Sequence, residues 1–287
     1  MKDFEAKVAV ITGAGSGIGR GLAETAAKKK MKLVLSDVNT ENLDGTLEIV
    51  NQHGVEAIAR EIDVSSNDAV MSLASETYET FGACHLLFNN AGVLGPVPVT
   101  NTTREMYDWL MDINIGGCFN GINAFLPRML DAGEEGHVVA TCSTSGFISY
   151  PMLSLYSASK FAIRGYMASV QEELHDTKIN ASIVCPGEVD TNILSSVFQA
   201  EAKEQAQEAT SDDQAKDSRK MLDVAADDAT GKSFPISPSE AAEAIFDGIE
   251  NKRFYIFTHS GYKEHIEAIS EESVSYTHLR AHETCLD

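Results

Sequence analysis

Tyr156-Ser157-Ala158-Ser159-Lys160 sets a phenol and an ammonium four residues apart. On a helix that spacing puts both side chains on one face, about 5–6 Å between Cβ atoms. An ammonium beside a phenol favours the phenolate, which makes tyrosine usable as a proton donor or acceptor near neutral pH. Upstream, Ser143 offers a hydroxyl that both donates and accepts, and Asn114 adds an amide. Each residue also has a plainer local reading. A Tyr-x-x-x-Lys pair is by itself an ordinary helix surface. Asn114, within Asp112-Ile113-Asn114-Ile115-Gly116, fits a helix-kink residue bonded to backbone. Ser143, within Thr141-Cys142-Ser143-Thr144-Ser145, fits one of several hydroxyls satisfying loop amides. What positions these groups decides between the readings.

The start of the chain supplies a positioning element. Lys7-Val8-Ala9-Val10-Ile11-Thr12 is an apolar, β-branched run of buried-strand type, and it leads directly into Gly13-Ala14-Gly15-Ser16-Gly17-Ile18-Gly19. Leu22, Ala23, Ala26 and Ala27 then recur at helical spacing. Strand, glycine turn and helix together make a phosphate site, because glycines let the backbone approach a pyrophosphate and the helix N-terminus favours negative charge. Ile18 stands where the usual Gly-x-Gly-x-x-Gly spacing calls for glycine, so the glycines alone also fit a tight strand-to-helix turn. No Gly-Lys-Ser/Thr follows, which excludes a P-loop. A second strand, Lys32 to Ser36, ends at Asp37. A carboxylate there suits the hydroxyls of an adenosine ribose and repels the 2′-phosphate of NADP. NAD is therefore favoured, with Ser16 and Val38 offering no phosphate clamp. Arg20 and Lys28 to Lys30 are the cations that would reverse the preference, so NADP stays open.

Residues 7 to about 193 resemble the short-chain dehydrogenase/reductase family. Thr12-Gly13-x-x-x-Gly17-Ile18-Gly19, with Ser16 inside it, is similar to that family's cofactor turn. Asp63-Val64 is similar to its adenine-contacting pair, and Asn89-Asn90-Ala91-Gly92 to its fourth-strand motif. Asn114, Ser143, Tyr156 and Lys160 match its catalytic tetrad, and Pro186-Gly187-x-Val189-x-Thr191 its nicotinamide-closing turn. The resemblance implies an NAD(P)-dependent oxidoreductase interconverting a secondary alcohol and a ketone. It implies that Tyr156 exchanges a proton with the substrate oxygen, which Ser143 holds. Lys160 would lower the tyrosine pKa and bind the nicotinamide ribose, and Asn114 would position a relay water. It also implies a homodimer or homotetramer built on the helices carrying Asn114 and Tyr156. An NADP-preferring carbonyl reductase is one alternative. A nucleotide-binding regulatory protein without catalysis is another, against which the intact Ser143, Tyr156 and Lys160 argue.

Strand-like runs at Val8–Thr12, Leu33–Ser36, Ala57–Glu61, Leu86–Asn89, His137–Ala140, Asn180–Val184 and Arg253–Phe257 alternate with helical stretches. That alternation predicts a doubly wound parallel α/β sheet, Rossmann-like, in one domain over residues 1–273. Acids number 43 against 22 bases, a net charge of −21 that opposes nucleic-acid or anionic-membrane partners. No apolar run approaches the roughly 18 residues of a membrane span, and Met1-Lys2-Asp3-Phe4-Glu5 is no signal peptide. Cys84, Cys118, Cys142 and Cys185 lie in apolar runs and read as core thiols, which with the rest predicts a reducing cytoplasm.

From Gln199 to about Lys232 large apolar residues nearly vanish. The stretch reads as a lid over substrate, bringing Phe198, Met221 and Leu222 near it, or as a solvated excursion. The opposite wall is expected from Val93 to Val97 and from Phe147 to Leu153, with Tyr150 its polar handle and no Arg or Lys. That predicts an uncharged, hydrophobic ketone or alcohol as the small-molecule partner. A helix is expected from Lys263 to Ile269. From about Val274 hydrophobic periodicity is lost, and residues 274–287 read as a non-native tail. His278, His282 and Cys285 have a metal-like spacing there, but no metal site is assigned.

Overall fold

Among the described residues seven runs become strands, and the central ones are buried on both faces: every residue of Val8–Thr12 (β1) and of Leu86–Asn89 (β4) lies inside. The computed structural model describes residues 1–191, 193 and 235–283, with side chains through residue 274. The other strands are Lys32–Asp37 (β2), Ala57–Glu61 (β3), Gly136–Thr141 (β5), Ile179–Cys185 (β6) and Tyr255–Phe257 (β7). All pairings are parallel, in the order β3-β2-β1-β4-β5-β6-β7. The expected strands are all present: β1, β3 and β4 have the expected bounds, ladder pairing extends β2, β5 and β6 by one residue at each end, and β7 begins two residues later than expected, at Tyr255.

Helices cover both faces. Gly17–Lys28 (α1), Thr40–Asn51 (α2) and Pro238–Glu250 (α7) lie on one side, where Leu22, Leu43, Ile245 and Phe246 share a core with Ile11 and Phe88. Asn67–Phe81 (α3), Gly117–Ala132 (α5) and Ser154–Glu173 (α6) lie on the other, where Leu73, Phe125 and Met167 pack on Leu87 and Val138. Arg104–Met111 (α4) runs into α5 through one π-helical turn, Asp112–Gly116. The sheet grows outward from β1 to β3 and then reverses to β4 on the opposite side. Such a reversal leaves a crevice beyond the carboxyl ends of β1 and β4, the place where open α/β sheets bind ligands.

The last helix, Lys263–Glu283 (α8), runs well past the expected Ile269. No Gly or Pro interrupts residues 263–283, so the backbone continues helically without an apolar stripe to bury. The side chains of residues 275–283, and all of 284–287, lie outside the described residues, and with them His278, His282 and Cys285. Among the described residues no helix is long and apolar enough to cross a membrane. Cys84, Cys118, Cys142 and Cys185 are buried free thiols.

His137 on β5 is wholly buried, with Nε2 2.6 Å from Ser182 Oγ. Burial, with the nearby N-terminal ammonium and Lys252, pushes its pKa down to about 3. Unfolded histidine titrates near 6.5. The folded value is the lower one, so this contribution to stability is complete above about pH 6.5 and is lost as pH falls toward 3. Stability should therefore decline by about 1 kcal/mol per pH unit from this group alone between pH 6 and 4. Urea unfolding midpoints measured across that range should fall more steeply for the parent than for His137→Gln. Parallel profiles would contradict the assignment.

Candidate active site

The turn after β1 is shaped by contacts that exclude side chains. Gly13 has φ +65°, and a Cβ on it would stand 2.8 Å from Ala91 Cα. At Gly19 a Cβ would stand 2.0 Å from the Gly13 carbonyl oxygen, so any larger residue breaks the turn. Asn90 closes the same corner from β4. Its amide donates to Thr12 O and Gly13 O at 3.0 and 3.3 Å, and its Oδ1 accepts from Thr141 Oγ1 at 3.1 Å. One side chain thus ties the ends of β1, β4 and β5.

Asp37 ends β2 with both oxygens engaged by backbone: Oδ2 accepts from Gly15 N at 2.8 Å and Oδ1 from Asn39 N at 2.9 Å. The cations that would have favoured a 2′-phosphate are committed elsewhere. Arg20 donates to Gly15 O, to Asn42 O and to Thr46 Oγ1. Lys28 pairs with Glu24, Lys29 with Glu250, and Lys30 donates to His53 O. Asp63 accepts from the backbone and hydroxyl of Ser65 at 2.9 and 2.7 Å. The Val64 carbonyl accepts from Asn120, a buried amide on α5 whose sequence surroundings carried no signal of this role.

Asn114 lies in the π turn, 1 % exposed, and is not among the residues lining the cavity described below. Its Oδ1 accepts from Val93 N at 2.8 Å, and its Nδ2 donates to Val93 O and Ser159 Oγ, each at 3.0 Å. Ser159 in turn donates to Tyr156 O at 2.7 Å. The amide thus clamps the β4 loop to the first turn of α6, the backbone role that its local sequence also allowed.

Tyr156 and Lys160 sit one turn apart at the start of α6, both buried. The ammonium stands 5.4 Å from the phenol ring centroid and donates to Thr141 O at 2.9 Å. Burial pushes the Tyr156 pKa up to about 12, against a hydrogen bond with Ser143 that lowers it. Burial also pulls Lys160 down. The lowering of the phenol pKa expected from Lys160 is not seen here: burial is the largest influence, the Ser143 hydrogen bond is what opposes it, and the phenol is held protonated. Ser143 caps a short 3₁₀ turn, its Oγ accepting from Ser145 N at 3.1 Å. Thr144 N donates to Pro186 O at 3.0 Å, joining this turn to the one after β6. There Gly187 packs on Tyr262, where a Cβ would stand 2.5 Å from the ring.

These pieces line one cavity of about 560 Å³. Gly13, Ser16, Gly17, Ile18, Gly19 and Asp37 line it, together with Asp63, Val64, Asn90, Ala91 and Gly92. Ser143, Tyr156, Lys160, Pro186, Gly187, Val189 and Thr191 complete the wall. Every expected site residue except Asn114 therefore reaches it. Of the expected apolar wall, Val93, Leu94, Tyr150 and Leu153 take part. Phe147 does not: it stacks under Arg164 at 4.1 Å and against Tyr255 and Phe257. Tyr262 joins the wall unannounced by the sequence, because only the sheet order brings the start of α8 to the β6 turn. Lys160 is the one Lys or Arg among the described lining residues. The segment read as a lid, with Phe198, Met221 and Leu222, lies outside the described residues.

The glycine cradle, the Asp37 carboxylate and an elongated cavity joining them to Tyr156 fit a dinucleotide. Comparison with known proteins agrees with that form. Residues 7–202 match the short chain dehydrogenase family. A putative oxidoreductase, SadH, of Mycobacterium tuberculosis is 36% identical over 207 residues, which is 71% of this chain and 75% of the relative. A 1-deoxy-11-beta-hydroxypentalenate dehydrogenase of Streptomyces avermitilis is 31% identical over 259 residues, 90% and 86% of the two chains. The crystal structure of a short chain dehydrogenase/reductase from Burkholderia phymatum in complex with NAD superposes with a TM-score of 0.84 at 34% identity, covering 93% of this chain and 94% of that one.

Proposed function

The chain belongs to the short-chain dehydrogenase family of oxidoreductases, and we propose that it uses NAD to interconvert a hydrophobic ketone and its secondary alcohol. The observation that carries this reading is the convergence of Ser143, Tyr156 and Lys160 on the cavity that Asp37 also lines. Gly13, Gly17 and Gly19 would take the pyrophosphate, Asp37 the adenosine ribose hydroxyls, and Asp63 and Val64 the adenine edge. When bound, the nicotinamide supplies or accepts the hydride.

The protein's own part is proton management and orientation. Tyr156 holds a proton on its buried phenol and delivers it to a carbonyl oxygen in the reducing direction. Ser143 hydrogen-bonds that phenol and holds the substrate oxygen beside it. Lys160, fixed by Thr141 O, contributes positive charge that favours the phenolate left behind. Asn114 acts through Ser159 and Val93, as a positioning residue. Val93, Leu94, Leu153 and Ile193 would contact an apolar substrate, with Tyr150 its polar neighbour.

The test is turnover of NADH and NADPH against a panel of hydrophobic ketones, with the matching alcohols and NAD in reverse. Turnover preferring NADH supports the reading. NADH binding without turnover of any ketone or alcohol would replace it with a nucleotide-binding regulatory role.

A further inference from the structure

We propose that Cys142 and Cys185 form a reversible disulfide under hydrogen peroxide, at the base of the two turns that carry the active site. The register of β5 and β6 pairs Thr141 with Val184, and Cys142 N donates to Val184 O at 2.8 Å, continuing the ladder by one residue. Cys142 therefore stands opposite Cys185 on the neighbouring parallel strand, both in the same buried cluster on one face of the sheet. Neighbouring strands run about 4.7–4.9 Å apart. A disulfide needs a Cα separation of roughly 4.4–6.8 Å, so the pair requires side-chain rotation and little backbone movement. The Cys142 thiol donates to Lys160 O at 3.2 Å and the Cys185 thiol to Ile183 O at 3.9 Å, so each would exchange one weak bond for the disulfide.

Position singles out Cys142 as the first of the pair to react. Cys142, 1 % exposed, borders the catalytic cavity, whereas Cys84, Cys118 and Cys185 do not. The neighbouring Cys185, the Lys160 ammonium and the Arg164 guanidinium favour the Cys142 thiolate against its own burial, while burial pushes the Cys84, Cys118 and Cys185 thiols up.

The chemistry balances in two displacements. The Cys142 thiolate attacks one peroxide oxygen, the O–O bond breaks, and water leaves with a sulfenic acid remaining on Cys142. Cys185 then gives up its proton and attacks that sulfur. The S–O bond breaks, the S–S bond forms and a second water leaves. Two thiols lose two electrons and two protons, and the peroxide is reduced to two waters. The bond removes the donation from Cys142 Sγ to Lys160 O, now 3.2 Å long. It also draws together the residues that precede Ser143 and Pro186. Both turns line the cavity, so cofactor affinity should fall.

Peptide mapping tests the idea on the full chain. After hydrogen peroxide and alkylation of the remaining thiols, trypsin should release peptides 129–160 and 179–203 joined by one bond, two mass units below their sum. Dithiothreitol should separate them. NADH affinity, read by fluorescence, should drop by roughly tenfold on oxidation and return with dithiothreitol. In Cys185→Ser the joined peptide should vanish and Cys142 should carry added oxygen. Unlinked Cys142 acid in the parent, a link through another cysteine, or unreacted thiols would overturn the proposal. A formed link with unchanged NADH affinity would overturn its regulatory half.

Discussion

Tyr156→Phe is expected to cut ketone reduction by on the order of a thousandfold while leaving NADH affinity nearly unchanged. A positioned general acid contributes about 10²–10⁴ in rate, and the substitution removes only the hydroxyl that supplies the proton. The phenol ring is buried against Leu94, Leu110 and Leu153, so its packing survives the change. The hydroxyl's hydrogen bond with Ser143 is lost, but Ser143 Oγ keeps its bond from Ser145 N. Direction matters as well. The buried phenol is held protonated, with a pKa of about 12, so reduction finds its donor ready across neutral pH. Alcohol oxidation instead needs the phenolate and should accelerate as pH rises. Steady-state rates for the parent and Tyr156→Phe, with NADH titrations of both, decide the matter. Residual turnover within tenfold of the parent would remove Tyr156 from the role of proton donor.

Asp37→Ala should narrow the preference for NADH over NADPH by about tenfold to a hundredfold. Two effects combine. Losing a carboxylate acceptor for ribose hydroxyls costs NADH about 1.5–3 kcal/mol, the scale of a hydrogen bond to a charged group. Removing the negative charge also lifts its repulsion of a 2′-phosphate. Asp37 additionally receives the backbone of Gly15 and Asn39, so alanine loosens the turn itself. Asp37→Asn separates the two contributions, because it keeps the shape and an acceptor while deleting the charge. Ratios of kcat/KM for the two cofactors, measured for all three proteins, give the partition. A ratio unchanged in both variants would show that Asp37 is not the selector. NADPH should remain a poor cofactor in absolute terms, since Arg20 is held by Gly15, Asn42 and Thr46 and is not free to clamp a phosphate.

Local patterns were legible where one element carries the whole signal. Short runs between turns, the central ones buried on two faces, correspond to the seven strands in the expected places. The Gly13-to-Gly19 run reads directly as a turn that tolerates no side chain, and the contacts at Gly13 and Gly19 supply the reason. The four-residue spacing of Tyr156 and Lys160 is a property of one helix. The end of α8 was less legible, because a stretch without Gly or Pro stays helical whether or not it has an apolar face.

Fold class, the side-chain-free glycine turn and the pairing of a phenol with an ammonium on one helix face were all readable from residue order, since each depends on spacings within one strand, turn or helix. The tertiary structure alone decided how those groups behave. Desolvation of Tyr156 arises from its burial in the packed fold, and it outweighs the hydrogen bond with Ser143. Asn120 reaches Val64, Arg20 is tied to Thr46 and Asn42, and Tyr262 arrives beside Gly187, all through contacts between segments distant in the chain. Cys142 faces Cys185 for the same reason: register between strands is set by pairing and packing across the whole sheet, and no local pattern of residues encodes it.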